Sequence, residues 1–308
     1  MPELPDVTVY VESIAARVAG QPLQGVRVAS PFVVRTFDPP LSAASGRRVL
    51  EVRRLGKRIV FVLEGGLFLV IHLMIAGRFK WLERGAKIPG KVGLAALDFP
   101  PGTLVLTEAA TKKRASIHLA RVLDEFQRGG IEPLMCTLDE FEAALRRENH
   151  TLKRSLTDPR LFSGIGNAYS DEILHRAKLS PALLTQKMSR DEVRALFQAT
   201  RTVLTEWTER LRQEAREKFP EKVTAFRDDF AVHGKYKQPC PVCGTAVQRI
   251  AYADNETNYC PRCQTGGKLL SDRSLARLLH DDWPRTIEEL EEKFPAPRKG
   301  REELKGRR

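Results

Sequence analysis

The chain has 308 residues and a formal net charge of +12, from 51 lysines and arginines against 39 aspartates and glutamates. This length predicts about two domains, and the basic excess favours nucleic acid over a membrane surface as partner. A basic protein without a polyanionic partner is the alternative. The longest apolar run, 67–75, contains His72 and is too short to span a bilayer. With no signal peptide visible, we expect a cytoplasmic protein.

The first six residues are Met-Pro-Glu-Leu-Pro-Asp. Because Pro2 is small, we expect removal of the initiator methionine, which would leave a secondary amine at the terminus. An α-amino group titrates near pH ~8, so part of it is an uncharged nucleophile at neutral pH. Its attack on a sugar aldehyde carbon would give an iminium, and Glu3 is a candidate general acid or base beside it. Such a start is also common in proteins without this chemistry.

Helical spacing of apolar residues predicts an amphipathic helix over 5–19, with Gly20 as its stop. Short β-rich runs follow, and glycine or proline pairs separate some of them as hairpins. The predicted strands are 25–29, 48–53, 59–63, 67–75, 94–99 and 103–107. Residues 1–130 are therefore expected to form an antiparallel β-sandwich domain that carries the N-terminal helix.

The pattern becomes helical after residue 130. Capping boxes at Thr137 with Glu140 and at Ser189 with Glu192 open two helices, and an apolar stripe over 193–211 is interpreted as core. Residues 131–229 are predicted to form a helical domain and 230–268 a finger. The extension 269–308 is expected to hold a short helix and a disordered basic tail.

Two close cysteine pairs give the sharpest local signal in the chain. Four thiolates at such spacing can surround one Zn²⁺ tetrahedrally and leave no open position, so the predicted metal is structural. So small a finger depends on its metal for folding. The remaining cysteine, Cys136, is interpreted as an inert, partly buried thiol. The predicted ligands are Cys240, Cys243, Cys260 and Cys263.

The segment 162–174 has a glycine turn that opens a helix. Backbone amides at such a helix start can hold a phosphate, and Asn167 adds a side-chain donor. Glycine turns before helices are routine, so this pattern alone has low specificity. The basic run 53–58 is usually a solvated edge, but it could face the same phosphates.

Together these segments resemble the bacterial formamidopyrimidine-DNA glycosylases and endonuclease VIII enzymes. The resemblance runs in the family's order over residues 1–265 or so. Beside the first six residues and the cysteine pairs, it rests on LGKR at 55–58, IHLMIAG at 71–77, GIEPL at 130–134, LKRSLTD at 152–158, GIGNAYSDEIL at 164–174 and VHGKYKQPC at 232–240.

The resemblance implies an α+β protein of two lobes. A β-sandwich with an N-terminal helix would precede a helix–two-turn–helix domain and a β-hairpin zinc finger, with DNA in the cleft between lobes. Pro2 would be the Schiff-base nucleophile and Glu3 the acid, with Asp6 as the second carboxylate of the catalytic start and Lys57 as a proton donor in elimination. The extruded nucleotide would be held through its backbone. The implied DNA-binding residues are Lys57, His72, Ile75, Lys153, Asn167 and Asn255.

Several positions depart from the family pattern. Asp6 stands where the family usually has Glu, and Ile75 falls where a methionine fills the void left by the extruded base. Residues 108–114 replace an Arg- and Phe-bearing wedge, and 219–230 is short where enzymes specific for 8-oxoguanine carry a lesion-capping loop. Asn255 occupies the position of a finger arginine. These departures concern lesion preference and the second elimination.

We therefore predict a monomeric, nucleoid-associated base-excision-repair DNA glycosylase with AP lyase activity. Oxidised pyrimidines, ring-opened purines or abasic sites are expected as substrates ahead of 8-oxoguanine, with β-elimination dominant. The alternative is a catalytically weak protein that binds damaged or abasic DNA on the same scaffold. A generic zinc-ribbon nucleic-acid binder is a third interpretation, but it leaves the first six residues unexplained.

Overall fold

A computed structural model of the chain describes residues 1–221, 227–252, 255–270 and 284–293. Two antiparallel sheets with one helix form its N-terminal part, and a helical domain and a cysteine-bearing β-hairpin follow. This arrangement confirms the predicted α+β fold class. Within the described ranges, no helix combines the length and the apolar character needed to cross a membrane.

The N-terminal domain contains eight strands. They are β1 (Gly25–Val28), β2 (Val49–Leu55), β3 (Arg58–Leu63), β4 (Leu67–His72), β5 (Gly77–Leu82), β6 (Gly93–Phe99), β7 (Gly102–Glu108) and β8 (Ser116–Ala120). They form two four-stranded sheets, ordered β1-β6-β7-β5 and β2-β3-β4-β8, in which every pair is antiparallel. The sequence predicts six of these strands. It misses β5 and β8.

Helix α1 (Leu4–Val18) covers the core between the sheets, close to its predicted bounds. Four large side chains of its apolar face are completely buried, and the hydroxyl oxygen of Tyr10 accepts a hydrogen bond from the backbone N–H of Phe79 at 3.3 Å. Burial of each large apolar side chain stabilises the fold by roughly 1.5–3 kcal/mol. The helix is therefore held firmly to the sheets through Val7, Tyr10, Ile14 and Val18.

A two-residue turn joins β2 to β3, because Leu55 and Arg58 are paired across it. Gly56, its first residue, has a φ of +60°, a conformation that glycine adopts without a steric cost. The second residue is Lys57. The hairpin thus presents this lysine at its tip.

The helical domain contains α2 (Leu138–Arg146), α3 (Leu152–Thr157), α4 (Asn167–Arg176) and α5 (Arg190–Glu214). Both predicted capping boxes are confirmed at the starts of α2 and α5. The α5 stripe is buried in a core that also includes Leu4 from the first turn of α1. The domains therefore share a hydrophobic contact at the start of the chain.

The finger consists of β9 (Gln248–Tyr252), β10 (Asn255–Tyr259) and α6 (Pro261–Thr265), and α7 (Ile287–Lys293) follows within the extension 269–308. Strands β9 and β10 are antiparallel, and Asn255 pairs with Tyr252 beside the hairpin turn. The part of the predicted basic tail beyond residue 293 lies outside the described residues. So do residues 222–226 of the segment 219–230, which is short where enzymes specific for 8-oxoguanine carry a lesion-capping loop.

Candidate active site

The carboxylate of Glu3 binds the N-terminus of α4. Its Oε2 accepts hydrogen bonds from the backbone N–H groups of Gly166 at 2.6 Å and Tyr169 at 3.2 Å, and its Oε1 accepts one from Ala168 at 2.9 Å. The first N–H groups of a helix have no partners within the helix and favour an anion. Because Glu3 is only 1% exposed, these three donors hold its carboxylate in one orientation.

Two glycines before α4 permit this close approach. A Cβ atom at Gly166 would lie 2.5 Å from Cδ of Glu3 and 2.6 Å from Nζ of Lys57. Gly164 has a φ of +82°, and a Cβ atom there would lie 2.9 Å from Cβ of Leu4. Its carbonyl oxygen accepts a hydrogen bond from the backbone N–H of Leu4 at 2.9 Å. The glycines therefore allow the starts of α1 and α4 to meet.

Asp6 lies behind Glu3 in the first turn of α1. Its Oδ2 accepts a hydrogen bond from the backbone N–H of Glu3 at 2.9 Å, and its Oδ1 lies 3.9 Å from Nη2 of Arg227. Burial raises the pKa of Asp6 to about 7. With 1% of its surface exposed, Asp6 is placed to orient Glu3 rather than to contact a substrate.

A cleft of about 690 Å³ lies between the N-terminal and helical domains. Its walls include Lys57 and His72 on one side and residues 157–160 on the other, with Met1 at its edge. Pro2 is buried directly behind Met1. The cleft therefore brings the chain terminus, the hairpin lysine and the histidine of β4 together.

Burial lowers the pKa of two amines at this cleft. The pKa of the terminal amine at Met1 and that of Lys57 are both lowered by burial, and the negative charge of Glu3 opposes the shift in each case. A lower pKa increases the uncharged fraction of an amine at neutral pH, and it makes the protonated form a stronger acid. Burial at this cleft therefore makes an amine easier to deprotonate.

His72 ends β4 and lines the cleft. Burial lowers its pKa to about 4, and the charges of Arg58 and Lys57 act in the same direction. Its imidazole is therefore neutral at pH 7 and can offer an N–H donor without a charge. Ile75 lies in the following turn, 53% exposed, after Met74 with a φ of +52°.

Lys153 and Asn167 have partners within the protein. Nζ of Lys153 donates to the backbone oxygen of Asn167 at 2.6 Å and to Oδ1 of Asp171 at 2.5 Å. The side-chain amide of Asn167 donates to the backbone oxygen of Glu256 at 2.9 Å. The contact of Glu3 with the backbone N–H groups of Gly166, Ala168 and Tyr169 is called the Glu3 junction below. Of the predicted DNA-binding residues, Asn167 lies at this junction, whereas Lys153 bonds to the backbone of Asn167 and to the side chain of Asp171.

Sequence reasoning missed two acids that attach the finger to α4. Glu172 accepts hydrogen bonds from the backbone N–H groups of residues 231–233 at 2.8–2.9 Å. Oδ2 of Asp171 accepts one from Nδ1 of His233 at 2.7 Å and one from the backbone N–H of Asn258 at 3.2 Å. Adjacent acids on a helix usually indicate a solvated face, so no local pattern signals their burial.

The four predicted cysteines converge in the finger. Their sulfur atoms lie within 4.8 Å of one another, with 3.9 Å between Cys240 and Cys263 and 3.4 Å between Cys243 and Cys260. Tetrahedral zinc with bonds of about 2.3 Å requires sulfur–sulfur distances of about 3.8 Å. The cluster therefore fits one structural zinc ion, which four thiolates would leave with no open position.

Comparisons with known proteins agree with this geometry. Residues 1–123 match the formamidopyrimidine-DNA glycosylase N-terminal domain, 130–216 its H2TH domain, and 237–266 the zinc finger found in FPG and IleRS. The chain is 35% identical to a formamidopyrimidine-DNA glycosylase of Thermus thermophilus over 276 residues, which cover 87% of this chain and 100% of that protein.

Two solved structures share the fold. The crystal structure of MutM (FPG) from Thermus thermophilus matches 85% of this chain and 98% of its own, with a TM-score of 0.72 and 35% identity. The second is the complex of Lactococcus lactis FPG with DNA containing an oxidised pyrimidine. The match covers 86% of this chain and 100% of that chain, with a TM-score of 0.75 and 25% identity.

The matched domains, their order and the named relatives indicate a DNA glycosylase/AP lyase. The chain belongs to the formamidopyrimidine-DNA glycosylase family.

Substitution of Gly166 by alanine should disable the junction while the domains stay folded. The added Cβ would force the Glu3 carboxylate and the Lys57 amine apart. We expect the single-turnover rate of base release to fall at least about 100-fold, since a positioned acid typically contributes that much. Gly25→Ala is the matched control, because its Cβ would meet no atom within 4 Å. Equal rates for the two variants would contradict the role of the junction.

His175, in the last turn of α4, should stabilise the zinc site from outside. Its Nε2 lies 3.3 Å from Sγ of Cys240, so an N–H there can donate to the thiolate. Loss of such an outer partner typically weakens metal binding 10–100-fold. We expect His175→Leu to release zinc to a chromophoric chelator about ten times faster than wild type. His150→Leu removes a histidine that pairs with Glu148 instead, and it should leave the release rate unchanged.

Proposed function

We propose that this protein excises oxidised bases from DNA and then cleaves the abasic site, with Pro2 as its nucleophile once Met1 is removed. The contact of Glu3 with the start of α4 carries this proposal. It holds an acid one residue from Pro2, at the edge of a cleft that Lys57 and His72 line. Since one chain supplies all of these groups, a monomer suffices.

The chemistry begins with the amine of Pro2. Its nitrogen would attack C1′ of the damaged nucleotide as the bond from C1′ to the base breaks. The base would take up the proton that the Pro2 nitrogen loses, so that the amine is neutral again once it is bonded to C1′. Glu3 would donate a proton to the sugar ring oxygen, so that the ring opens and the Pro2–C1′ linkage becomes an iminium. Asp6 would keep Glu3 oriented through its backbone N–H.

The iminium would then drive strand cleavage. It acidifies the proton on the neighbouring sugar carbon, and loss of this proton expels the 3′ phosphate. Lys57 would protonate a leaving group; the closeness of its Nζ to Gly166 and Glu3 and the lowering of its pKa by burial support this role. A lower pKa makes the ammonium a stronger acid than an ordinary lysine.

The DNA backbone would be held around the same groups. Lys57 offers a charge and His72 a neutral N–H donor, while Asn167 uses one of its amide donors on Glu256 and keeps a second for a phosphate. Lys153 would act less directly, since Asp171 offsets its charge. Ile75, which is exposed, would fill space near the extruded nucleotide.

Oxidised pyrimidines, ring-opened purines and abasic sites are the favoured substrates, ahead of 8-oxoguanine. The departures at Ile75 and within 108–114 support this preference, and the structural neighbour from Lactococcus lactis is bound to DNA with an oxidised pyrimidine. A catalytically weak DNA-binding protein is the rival. The ordered contacts of Glu3, and Lys57 close beside it, speak for catalysis.

Covalent trapping tests the nucleophile. Borohydride should reduce the iminium between Pro2 and an abasic-site sugar to a stable cross-link, visible as a shifted band on a denaturing gel. Pro2→Thr should lose the cross-link, because it removes the secondary amine.

A protein that retains a residue before Pro2 should fail in the same way, since its proline nitrogen is then an amide. Strong trapping by either form would refute Pro2 as the nucleophile. Absence of trapping by the wild-type protein, with DNA binding intact, would favour the rival.

The second elimination should lag behind the first. Asn255, which begins β10, carries no charge, and no lysine or arginine lies between Arg249 and Arg262. Acid assistance is typically worth ~10²–10⁴-fold, so we expect mainly a nick with a 3′ unsaturated aldehyde. Asn255→Arg should shift the product toward a one-nucleotide gap.

Gln248→Arg adds the same charge at the other end of the hairpin and should leave the product ratio unchanged. Wild-type protein that forms the gap as fast as the nick would show that another group supplies the proton.

A further inference from the structure

Arg58 lies beside the proposed phosphate ligands. It follows Lys57 and is paired in register with His72 across β3 and β4. Side chains of directly opposed residues lie on the same face of a sheet, so Arg58 and His72 share the cleft wall. Nη1 of Arg58 donates to the backbone oxygen of Phe126 at 3.4 Å, and its guanidinium lies 5.9 Å from the centre of that ring.

Arg128 approaches the same wall from the segment that links the domains. It follows Phe126 by two residues, is exposed, and lines the cleft together with Arg58 and His72. The pKa of Arg58 is lowered by burial and by the charge of Arg128. The two guanidinium groups are therefore close enough to repel each other.

These two charges lack the acidic partners that neighbouring arginines have. Arg54 pairs with Glu132, and Arg160, on the opposite wall, pairs with Asp158 at 2.6 Å. Among the residues that the structure describes, neither Arg58 nor Arg128 forms an ion pair. Like charges in a partly buried cleft are unfavourable until an anion binds between them.

On the basis of the function proposed above, we propose that Arg58 and Arg128 form a second phosphodiester site. It holds the backbone phosphate adjacent to the one bound by Lys57 and His72. A guanidinium group matches a phosphate through two parallel N–H donors. Two successive phosphates held on one wall would fix the direction of the damaged strand in the cleft.

Binding of the zinc-loaded, full-length protein to a duplex with a tetrahydrofuran abasic site tests this pair. Arg58→Gln and Arg128→Gln should each weaken binding about tenfold at low salt, as expected for a charged hydrogen bond. Each should also flatten the slope of log affinity against log salt by about 0.9. Arg84→Gln is a charge-matched control outside the cleft lining. It should weaken binding and flatten the salt slope less than either cleft variant does.

Single methylphosphonate substitutions locate the site on the DNA. Neutralising the phosphate next to the Lys57 contact should weaken wild-type binding, and Arg128→Gln should then cause no further loss. Arg128 is exposed, so this variant remains informative even if Arg58→Gln folds poorly. Additive losses at every phosphate, or arginine variants that behave like Arg84→Gln, would overturn the second site.

Lys57→Ala should weaken binding to the same duplex and flatten its salt slope by about one contact, because it removes a proposed phosphate ligand. This variant and the borohydride trap report on the proposed function separately from the arginine pair. If both behave as that function requires while the arginine variants match the control, only the second site is refuted. If trapping and the Lys57 effect are also absent, the proposed function fails with it.

Discussion

The hydrogen bonds from the first N–H groups of α4 to the Glu3 carboxylate are the interaction on which the rest of the site depends. Glu3 and its three donors are separated by 163 to 166 positions in the sequence. These bonds therefore bring the start of the chain to the helical domain. Hydrogen bonds to a charged group are worth about 1.5–3 kcal/mol each. Without the carboxylate, these donors would be buried and unpaired, so one acid both positions the catalytic start and secures the domain contact.

Helix α4 extends this control to the finger. Residues spaced by four lie on one face of a helix, and on α4 these are Asn167, Asp171 and His175. They contact, in order, the backbone of Glu256, the backbone of Asn258 and the thiol of Cys240. A shift of the finger would therefore be transmitted along α4 to the helix end that binds Glu3. A structural zinc ion can thus affect catalysis without any contact with the substrate.

Local patterns predicted much of this architecture. The helix of Val7 and Ile14, the capping boxes at Thr137 and Ser189, and the cysteine cluster all depend on neighbours a few residues away, and the structure confirms them. At the site, the resemblance named Glu3 and Lys57, but it could not supply their geometry. A motif names a residue without showing what its atoms contact.

The sequence by itself determined the fold class and the zinc ligands, because short-range periodicity and cysteine spacing encode them, and it determined the family through the resemblance of motifs that occur in the family's order. Three features were decided only by the tertiary structure. Asp6 accepts a hydrogen bond from the backbone of Glu3, Asp171 pairs with Lys153, and Arg58 faces the cleft beside His72. The pairing of Asp171 with Lys153 and the position of Arg58 at the cleft depend on segments that meet only when sheets and helices pack. Even Asp6, three residues from Glu3, has its charge governed by burial, which packing alone sets. A sequence pattern does not show directly which distant surfaces exclude water from a residue.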